Sequence, residues 1–195
     1  MSNDSSTGGY LLPTGTAPIN DEALDNLFRG VISAVTGLTA RNVVRRFNPE
    51  PGAPPQFDGT WAAVGVLAID DDDYPYQALQ ADDTYKLVQH EVLQVMASFY
   101  GAKAQQAARA ARNGLQIAQN REALTAAGIV LQDAGRPVRA PEMINSRWAN
   151  RIDVTFTFKR QTADTFAILP VASVVGSIKN TTGTQLPLNT ENPPH

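Results

Sequence analysis

A long run without strand-breaking residues, Thr84–Tyr100, constrains the fold of this chain most strongly. The sequence TYKLVQHEVLQVMASFY contains no Gly or Pro, and its Thr, Tyr and Val content favours a long β-strand over the competing helical interpretation. Polar residues fall on both alternating faces near its middle, at Gln89, Glu91 and Gln94. We therefore expect a sheet organised around this strand, with part of each face near water or a partner.

The alanine-rich segment that follows predicts a helix that packs closely on its neighbours. Polar side chains, including Arg109 and Arg112, lie opposite one stripe of small apolar residues. That stripe consists of Ala104, Ala107, Ala108, Ala111, Leu115 and Ala118. Gly114 interrupts the helix at a cost of about 1 kcal/mol relative to Ala, which indicates a tight crossing or a kink. A short second helix is expected at Arg121–Ala127, capped by Asn120 and ended by Gly128.

An earlier segment shows the pattern of an amphipathic helix. Apolar residues recur at the spacing of one helical face between Ala23 and Val35. Asn20 is a favourable N-cap, and the acidic residues after it suit the positive end of a helix. Gly37 suits the left-handed position that ends one. The sequence therefore predicts a helix that begins just after Asn20 and ends just before Gly37.

Several stretches predict strands. Trp61–Ile69 is nearly continuous apolar sequence, typical of a central strand covered on both faces. Arg151–Lys159 alternates strictly between apolar and polar residues, which indicates a half-buried antiparallel strand. A turn at Gln161–Asp164 and a returning strand, Thr165–Leu169, would complete a hairpin. Shorter strands are expected at Ala40–Phe47 and Ile129–Leu131.

These elements predict an α+β fold, mainly an antiparallel β-sheet flanked by two or three helices. The 195 residues fit a single domain, which should bury roughly 70% of the surface of the unfolded chain. We expect this domain at residues 20–178, between a flexible arm at 1–19 and a flexible tail at 179–195. Both ends are polar and offer too little apolar surface to offset the entropy of ordering. Residues 48–59 hold four prolines and predict a surface loop.

Charge is distributed unevenly along the chain. Residues 1–83 contain 4 basic and 12 acidic residues, whereas residues 84–195 contain 12 basic and 7 acidic ones. The overall charge of −3 argues against general nucleic-acid binding, which favours a basic excess. The split permits complementary faces between copies of the chain, or simply two halves that face each other inside one domain.

No catalytic or cofactor constellation is found in the sequence, so we expect no enzyme activity and no cofactor. The chain has no Cys, and of its two His residues His195 ends the chain. His90 lacks a nucleophile-elbow motif, and no phosphate-binding glycine loop is present. Asp70–Asp73 lacks the spacing, the Gly and the distal Glu of a calcium loop, and we interpret it as a solvated acidic turn. No signal peptide or membrane span is indicated, so a soluble protein made in the cytoplasm is expected.

Four segments carry a resemblance to a known family. They are WAAVGV, FYGAKAQQAARAARNGL, LTAAGIVLQDAG and RAPEMINSRWANRIDVTFTFKR. Together with the order of elements, they resemble the tail-terminator or neck-terminator proteins of tailed bacteriophages, over roughly Asp21 to Leu169. The resemblance implies an antiparallel sheet flanked by helices, with no catalytic residues.

The same resemblance implies a structural virion protein at the neck, the top of the tail. Such a protein forms a ring, expected to be a homo-hexamer, that caps the tail tube, stops its polymerisation and docks the head. Its expected partners are further copies of itself, the tail tube protein, head-tail connector proteins and the tail sheath. DNA would pass through the lumen without sequence-specific binding, and assembly would take place in the host cytoplasm without a membrane. The alternatives are a head-completion or tail-tube subunit and, in a different class, a small-ligand module or enzyme.

Polar residues that the predicted elements place at the surface or on the long strand are our candidates for subunit interfaces. They are Arg45, Arg46, Gln89, Glu91, Arg109, Arg112, Arg136 and Arg139. We expect a neighbouring subunit to bury Gln89 or Glu91, because polar residues on both faces weaken the strand as a core element.

Overall fold

The structure is a computed structural model of the chain. It describes residues 9–47, 59–80, 84–144, 147–168, 174–179 and 185–190. The predicted Pro-rich loop at residues 48–59 lies outside the described residues apart from Gly59.

The chain divides into two compact units. The larger comprises Ala17–Tyr76 and Val88–Ala163, and the smaller comprises Met1–Thr16, Gln77–Leu87 and Asp164–His195. The single domain proposed from the sequence at residues 20–178 stays a prediction.

The described part of the chain contains three α-helices, all in the larger unit. They are α1 (Asp21–Thr36), α2 (Ala104–Gly114) and α3 (Glu122–Ala126). Gly37 ends α1 with φ 73°, and its N–H donates to the Ser33 carbonyl oxygen 3.0 Å away, as predicted. The stripe Ala104, Ala107, Ala108, Ala111 and Leu115 is buried, whereas Ala118 lies beyond the end of α2 and is exposed.

The strands of the described residues form one large sheet and two small ones. In chain order they are β1 (Val43–Arg45), β2 (Trp61–Asp71), β3 (Tyr76–Leu79), β4 (Thr84–Tyr100), β5 (Ile129–Asp133), β6 (Val138–Arg139), β7 (Glu142–Ile144), β8 (Arg147–Ala149), β9 (Arg151–Ala167), β10 (Val174–Lys179) and β11 (Gln185–Thr190). The large sheet has the order β1-β2-β4-β9-β5, with β3 also paired to β4 and β6 also paired to β9. Helices and a mainly antiparallel sheet confirm the predicted α+β class.

Strand β4 lies at the centre of this sheet, between β2 and β9. It covers all 17 residues of the predicted run, so the alternative helical interpretation is wrong. Its odd-numbered residues Leu93, Val95, Ala97 and Phe99 are no more than 1% exposed. They belong to the same apolar core as the buried residues of α1 and α2.

The core lies between the helices and one face of the sheet. On β9 the residues Ile152, Val154, Phe156 and Phe158 point into it, as their alternation predicts. The ring of Phe158 lies 4.9 Å from that of Phe28 on α1, measured between centroids. Local periodicity therefore places the apolar side of each long element correctly.

Gly114 lies at a close contact between α2 and α1. Of the two roles predicted for it, the tight crossing is confirmed. A Cβ atom at this position would lie 2.9 Å from Cβ of Val35, closer than packed side chains allow. The glycine thus permits the helices to approach closely.

Strand β2 differs from its prediction. The run was expected to be central and covered on both faces, but β1 pairs with it only at Ala62–Val64, in parallel. Further along, Leu67 is 41% exposed and Ile69 is 42% exposed. The register against β4 shifts between Val66 and Ala68. A continuous apolar run therefore does not mean burial on both faces here.

Strand β9 also corrects the sequence analysis. The predicted turn at Gln161–Asp164 is wrong, because β9 runs without interruption to Ala167. Thr162, one of the turn candidates, is buried and hydrogen-bonded to Glu91 on β4. The predicted strand Ala40–Phe47 is shortened to β1, because Ala40–Asn42 forms a 3₁₀ turn.

The smaller unit has its own hairpin. Strands β10 and β11 pair antiparallel from Val174 with Thr190 to Lys179 with Gln185. Part of the predicted flexible tail is thus a strand. In the same unit, the Thr14 N–H donates to the Thr165 carbonyl oxygen at 2.8 Å, which ties the N-terminal arm to the end of β9.

Candidate interaction surface

Four arginines from two separate segments converge on one side of the larger unit. Arg109 and Arg112 follow Gln105 on one stripe of α2, because residues three or four apart on a helix are neighbours. The Arg112 Nε donates to the Gly135 carbonyl oxygen at 2.7 Å, and the Arg139 Nη2 donates to Gln105 Oε1 at 3.1 Å. The segment from Gly135 to Arg139 therefore runs along this stripe. We call Arg109, Arg112, Arg136 and Arg139 the basic surface.

Gly135 fixes the turn that brings this segment to α2. Its φ of +56° lies in the left-handed region, and a Cβ atom there would lie 2.0 Å from the Thr155 carbonyl oxygen. Its N–H donates to Asp133 Oδ2 at 3.0 Å. Only glycine fits this position, so Gly135 fixes the backbone conformation from which the segment carrying Arg136 continues.

The arginines of the basic surface form no ion pair with a carboxylate of the described residues. All four arginines are exposed. Arg112 and Arg139 bind neutral oxygen acceptors instead. An exposed cluster of unpaired guanidinium groups creates a positive potential that is available to another molecule.

An acidic segment lies at the end of β2, which is across β4 from β9 and β6. We call Leu67–Asp73, the end of β2 and the turn after it, the acidic edge. Asp70–Asp73 are all exposed, as predicted, but Asp70 and Asp71 belong to β2, so the turn begins later than predicted. Asp72 Oδ2 accepts from the His90 N–H and lies 3.0 Å from His90 Nδ1, and these contacts hold the pKa of Asp72 below its usual value. The described residues contain no group of three or more His, Asp or Glu side chains placed to hold a metal ion.

The acidic edge is also an open backbone edge. Val66 N–H donates to Asp25 Oδ1 on α1 at 3.0 Å, so α1 terminates the pairing started by β1. Beyond Val66, no described residue pairs with β2 on the side away from β4. Unpaired edges with exposed apolar side chains are sites where other chains bind.

Glu91 lies in the interior of its own chain. It is 8% exposed, and its Oε2 accepts from Arg160 Nε at 2.5 Å while its Oε1 accepts from Thr162 at 3.0 Å. Arg160 also donates to the Ile19 carbonyl oxygen and, at 2.6 Å, to Asn20 Oδ1. Glu91 is therefore buried by contacts within its own chain, and an interface role for it stays a prediction.

This cluster also changes the role of Asn20. Asn20 occupies the N-cap position of α1 as predicted, but its side chain makes no capping hydrogen bond. It accepts from Arg160 instead. Arg160 thus fastens the start of α1 to the sheet.

The remaining interface candidates, Arg45, Arg46 and Gln89, lie outside the basic surface. Arg45 pairs with Glu22 at 3.0 Å, and Arg46 donates to Ser98 Oγ at 2.6 Å. Gln89 is half-buried on β4. The structure therefore brings together Arg109, Arg112, Arg136 and Arg139, and leaves Arg45, Arg46 and Gln89 elsewhere; the interface role of all of them stays a prediction.

A second polar cluster, on the face of the sheet away from the core, escaped the sequence analysis. Trp61 and Tyr100 are cross-strand partners whose rings stack 4.1 Å apart, and the Arg151 guanidinium lies 5.8 Å from the Tyr100 centroid. Arg151 donates to both Asp153 and Glu142, and Asp153 above all holds the pKa of Arg151 above its usual value. Burial raises the pKa of Tyr100. The cluster joins three strands and the β7 segment.

Its only sequence signal was indirect. Trp61 and Tyr100 are the first and last residues of two runs predicted to be strands, where an antiparallel pairing places them opposite each other. Nothing local predicted that pairing.

Comparison with known proteins identifies the family. The family model for phage neck terminator proteins matches residues 22–185, a range that includes the acidic edge and the basic surface. No curated protein matches the chain. No helix of the described residues is long and apolar enough to cross a membrane. Since the match covers most of the sequence, the chain belongs to the phage neck terminator protein family.

Proposed function

We propose that this protein forms a ring at the head-tail junction that caps the completed tail tube, stops its polymerisation and docks the filled head. The family match over residues 22–185 carries this proposal, because it indicates a structural role in the virion neck. A ring of six copies is the expected assembly, with the tail tube protein and the head-tail connector as neighbours. The tail sheath is a further expected partner.

The charges of the fold support association between copies. A ring needs two different surfaces on each subunit that fit each other. The acidic edge and the basic surface provide two exposed surfaces of opposite charge. The geometry favours this contact over a chemical reaction. The charged groups of Glu91 and Arg160 form one ion pair, and those of Arg151 and Asp153 form another.

We expect DNA to pass through such a ring without sequence-specific binding. The chain carries a net charge of −3, which disfavours general retention of nucleic acid. We expect the protein to assemble in the host cytoplasm and to lie at the top of the tail.

Loss of the gene provides the test. Without a terminator we expect infected cells to produce tails of variable, excessive length that do not join heads. Tail length in electron micrographs measures this effect. Tails of normal length joined to heads would contradict the proposal.

A reconstruction of the virion neck locates the protein directly. We expect one ring between tube and connector. Density repeated along the whole tail would indicate a tube subunit, and a position against the head portal would indicate a head-completion protein.

A further inference from the structure

We propose that, in this ring, the acidic edge of each subunit lies against the basic surface of the next subunit. The inference rests on the proposed function, since it assigns the contact between neighbouring copies. The occupant of each surface is thus a second copy of this chain.

The two surfaces lie on different strands of the large sheet. The acidic edge lies on β2, whereas β6, which carries Arg139, pairs with β9 on the far side of β4. The two surfaces therefore belong to opposite sides of one sheet in the larger unit. A contact between unlike surfaces on opposite sides is heterologous, and successive contacts of this kind close into a ring when the rotation between subunits allows it.

The two surfaces carry complementary charge. The acidic edge exposes four carboxylates, of which Asp70 and Asp72 have polar partners on β4. The basic surface exposes four guanidinium groups that form no ion pair with a described carboxylate. Arg45, Arg151 and Arg160 are all ion-paired within the chain. An arginine cluster that forms no ion pair with a described carboxylate suits carboxylates supplied by a neighbour.

Apolar side chains lie beside both sets of charges. Leu67 and Ile69 are 41% and 42% exposed on the acidic edge, and Val138 is 48% exposed between Arg136 and Arg139. Covering these side chains would remove apolar surface from water on both subunits. Pro137 lacks an N–H, which limits continuous strand pairing along β6. The contact therefore depends on side chains rather than on an extended ladder.

The competing occupant of the basic surface is the phosphate backbone of nucleic acid. That occupant leaves the acidic edge without a role, since phosphates and carboxylates repel. A second copy engages both surfaces at once, and for that reason we favour it.

Charge reversal tests the contact. One variant carries Asp70→Lys, Asp71→Lys and Asp73→Lys, so that both of its surfaces are positive, and Asp72 with its His90 contact is left intact. The other carries Arg109→Glu, Arg136→Glu and Arg139→Glu, so that its basic surface becomes acidic. Each variant alone should lose ring formation, with a dissociation constant raised roughly 100-fold, because like charges now face each other.

Mixing the two variants distinguishes this contact from a folding defect. The positive edge of the first variant fits the acidified surface of the second, and its unchanged basic surface fits the unchanged acidic edge of the second. Expressed together in cells infected with a phage that lacks the gene, the variants should restore joined particles with alternating subunits. All six substitutions in one chain should restore rings as well.

The control variant, Arg41→Glu with Lys86→Glu, reverses two exposed charges outside both surfaces and should assemble normally. Normal rings from either variant alone, or no rescue by the mixture, would overturn the inference while wild-type rings at the neck leave the proposed function standing. Wild-type protein absent from the neck would instead overturn the proposed function. Normal rings combined with loss of DNA binding by the arginine variant would favour nucleic acid and also overturn the inference.

Discussion

Arginine occurs in two opposite settings in this molecule. Arg160 is 6% exposed and donates to Glu91, Ile19 and Asn20, whereas Arg109 and Arg136 are exposed and form no ion pair with a described residue. In the first setting the charge is matched inside the chain and holds α1 on the sheet. In the second the charge is left for another molecule. The contrast separates residues that stabilise the fold from residues available for assembly, although both sets are polar in the sequence.

The largest expected effect comes from breaking the buried pair. Glu91→Ala should reduce the free energy of unfolding by about 3–5 kcal/mol, because it leaves the Arg160 guanidinium buried without a counter-charge. Urea denaturation of the purified protein measures the change. Asp71→Ala is the matched control, since Asp71 is the cross-strand partner of Glu91 but is exposed. The control should change stability by less than about 0.5 kcal/mol. Equal effects of the two substitutions would refute the internal role of Glu91.

A smaller effect is expected in the cluster around Tyr100. Arg151→Ala should cost about 1.5–3 kcal/mol, the range for hydrogen bonds to charged groups, and the partial exposure of the cluster favours the lower end. The substitution removes the donors to Asp153 and Glu142. The same urea experiment measures it, with Arg41→Ala as an exposed control. A cost as large as that of Glu91→Ala would contradict the ranking of the two clusters by burial.

The local pattern of the sequence was sufficient for the elements that bury one continuous apolar face. The helical spacing before Gly37 and the alternation of Ile152, Val154, Phe156 and Phe158 each follow from which side of the element faces the core. The predicted turn at Gln161–Asp164 failed because Thr162 is buried by a hydrogen bond to Glu91, 71 positions away. Polar residues suggest a turn when their distant partner is unknown.

The candidate site was predictable only in part for the same reason. The spacing of Arg109 and Arg112 on one helix face can be read locally. Their approach to Arg136 and Arg139 depends on Gly135, which meets the Thr155 backbone, and on the pairing of β6 with β9. Sheet order is a long-range property, and it also decided that β2 has an open edge.

Removing the unpaired arginines should leave the fold nearly unchanged. Arg109→Ala and Arg136→Ala should each change the free energy of unfolding by less than about 0.5 kcal/mol, because neither side chain has a partner among the described residues. Sedimentation velocity should show weaker association of the double variant. Wild-type association should also weaken as salt rises, since exposed charges are screened. Association that is independent of salt would contradict an electrostatic contact.

The finest distinction concerns Tyr100, where burial and the Arg151 cation act in opposite directions on one hydroxyl. Burial is the larger influence and raises the pKa of Tyr100 above its ordinary value, while Arg151 lowers it. The neutral phenol therefore contributes stability that is fully present below the unfolded pKa of about 10 and is lost as pH rises through the folded value. Absorbance at alkaline pH, compared between wild type and Tyr100→Phe, gives the titration of this residue among the five tyrosines. Arg151→Met should raise the Tyr100 pKa further, because it removes the attraction and keeps most of the burial. If Tyr100 titrates at or below the ordinary value, then the nearby cation outweighs burial, and the cluster is more open to water than its contacts with Trp61 and Glu142 indicate.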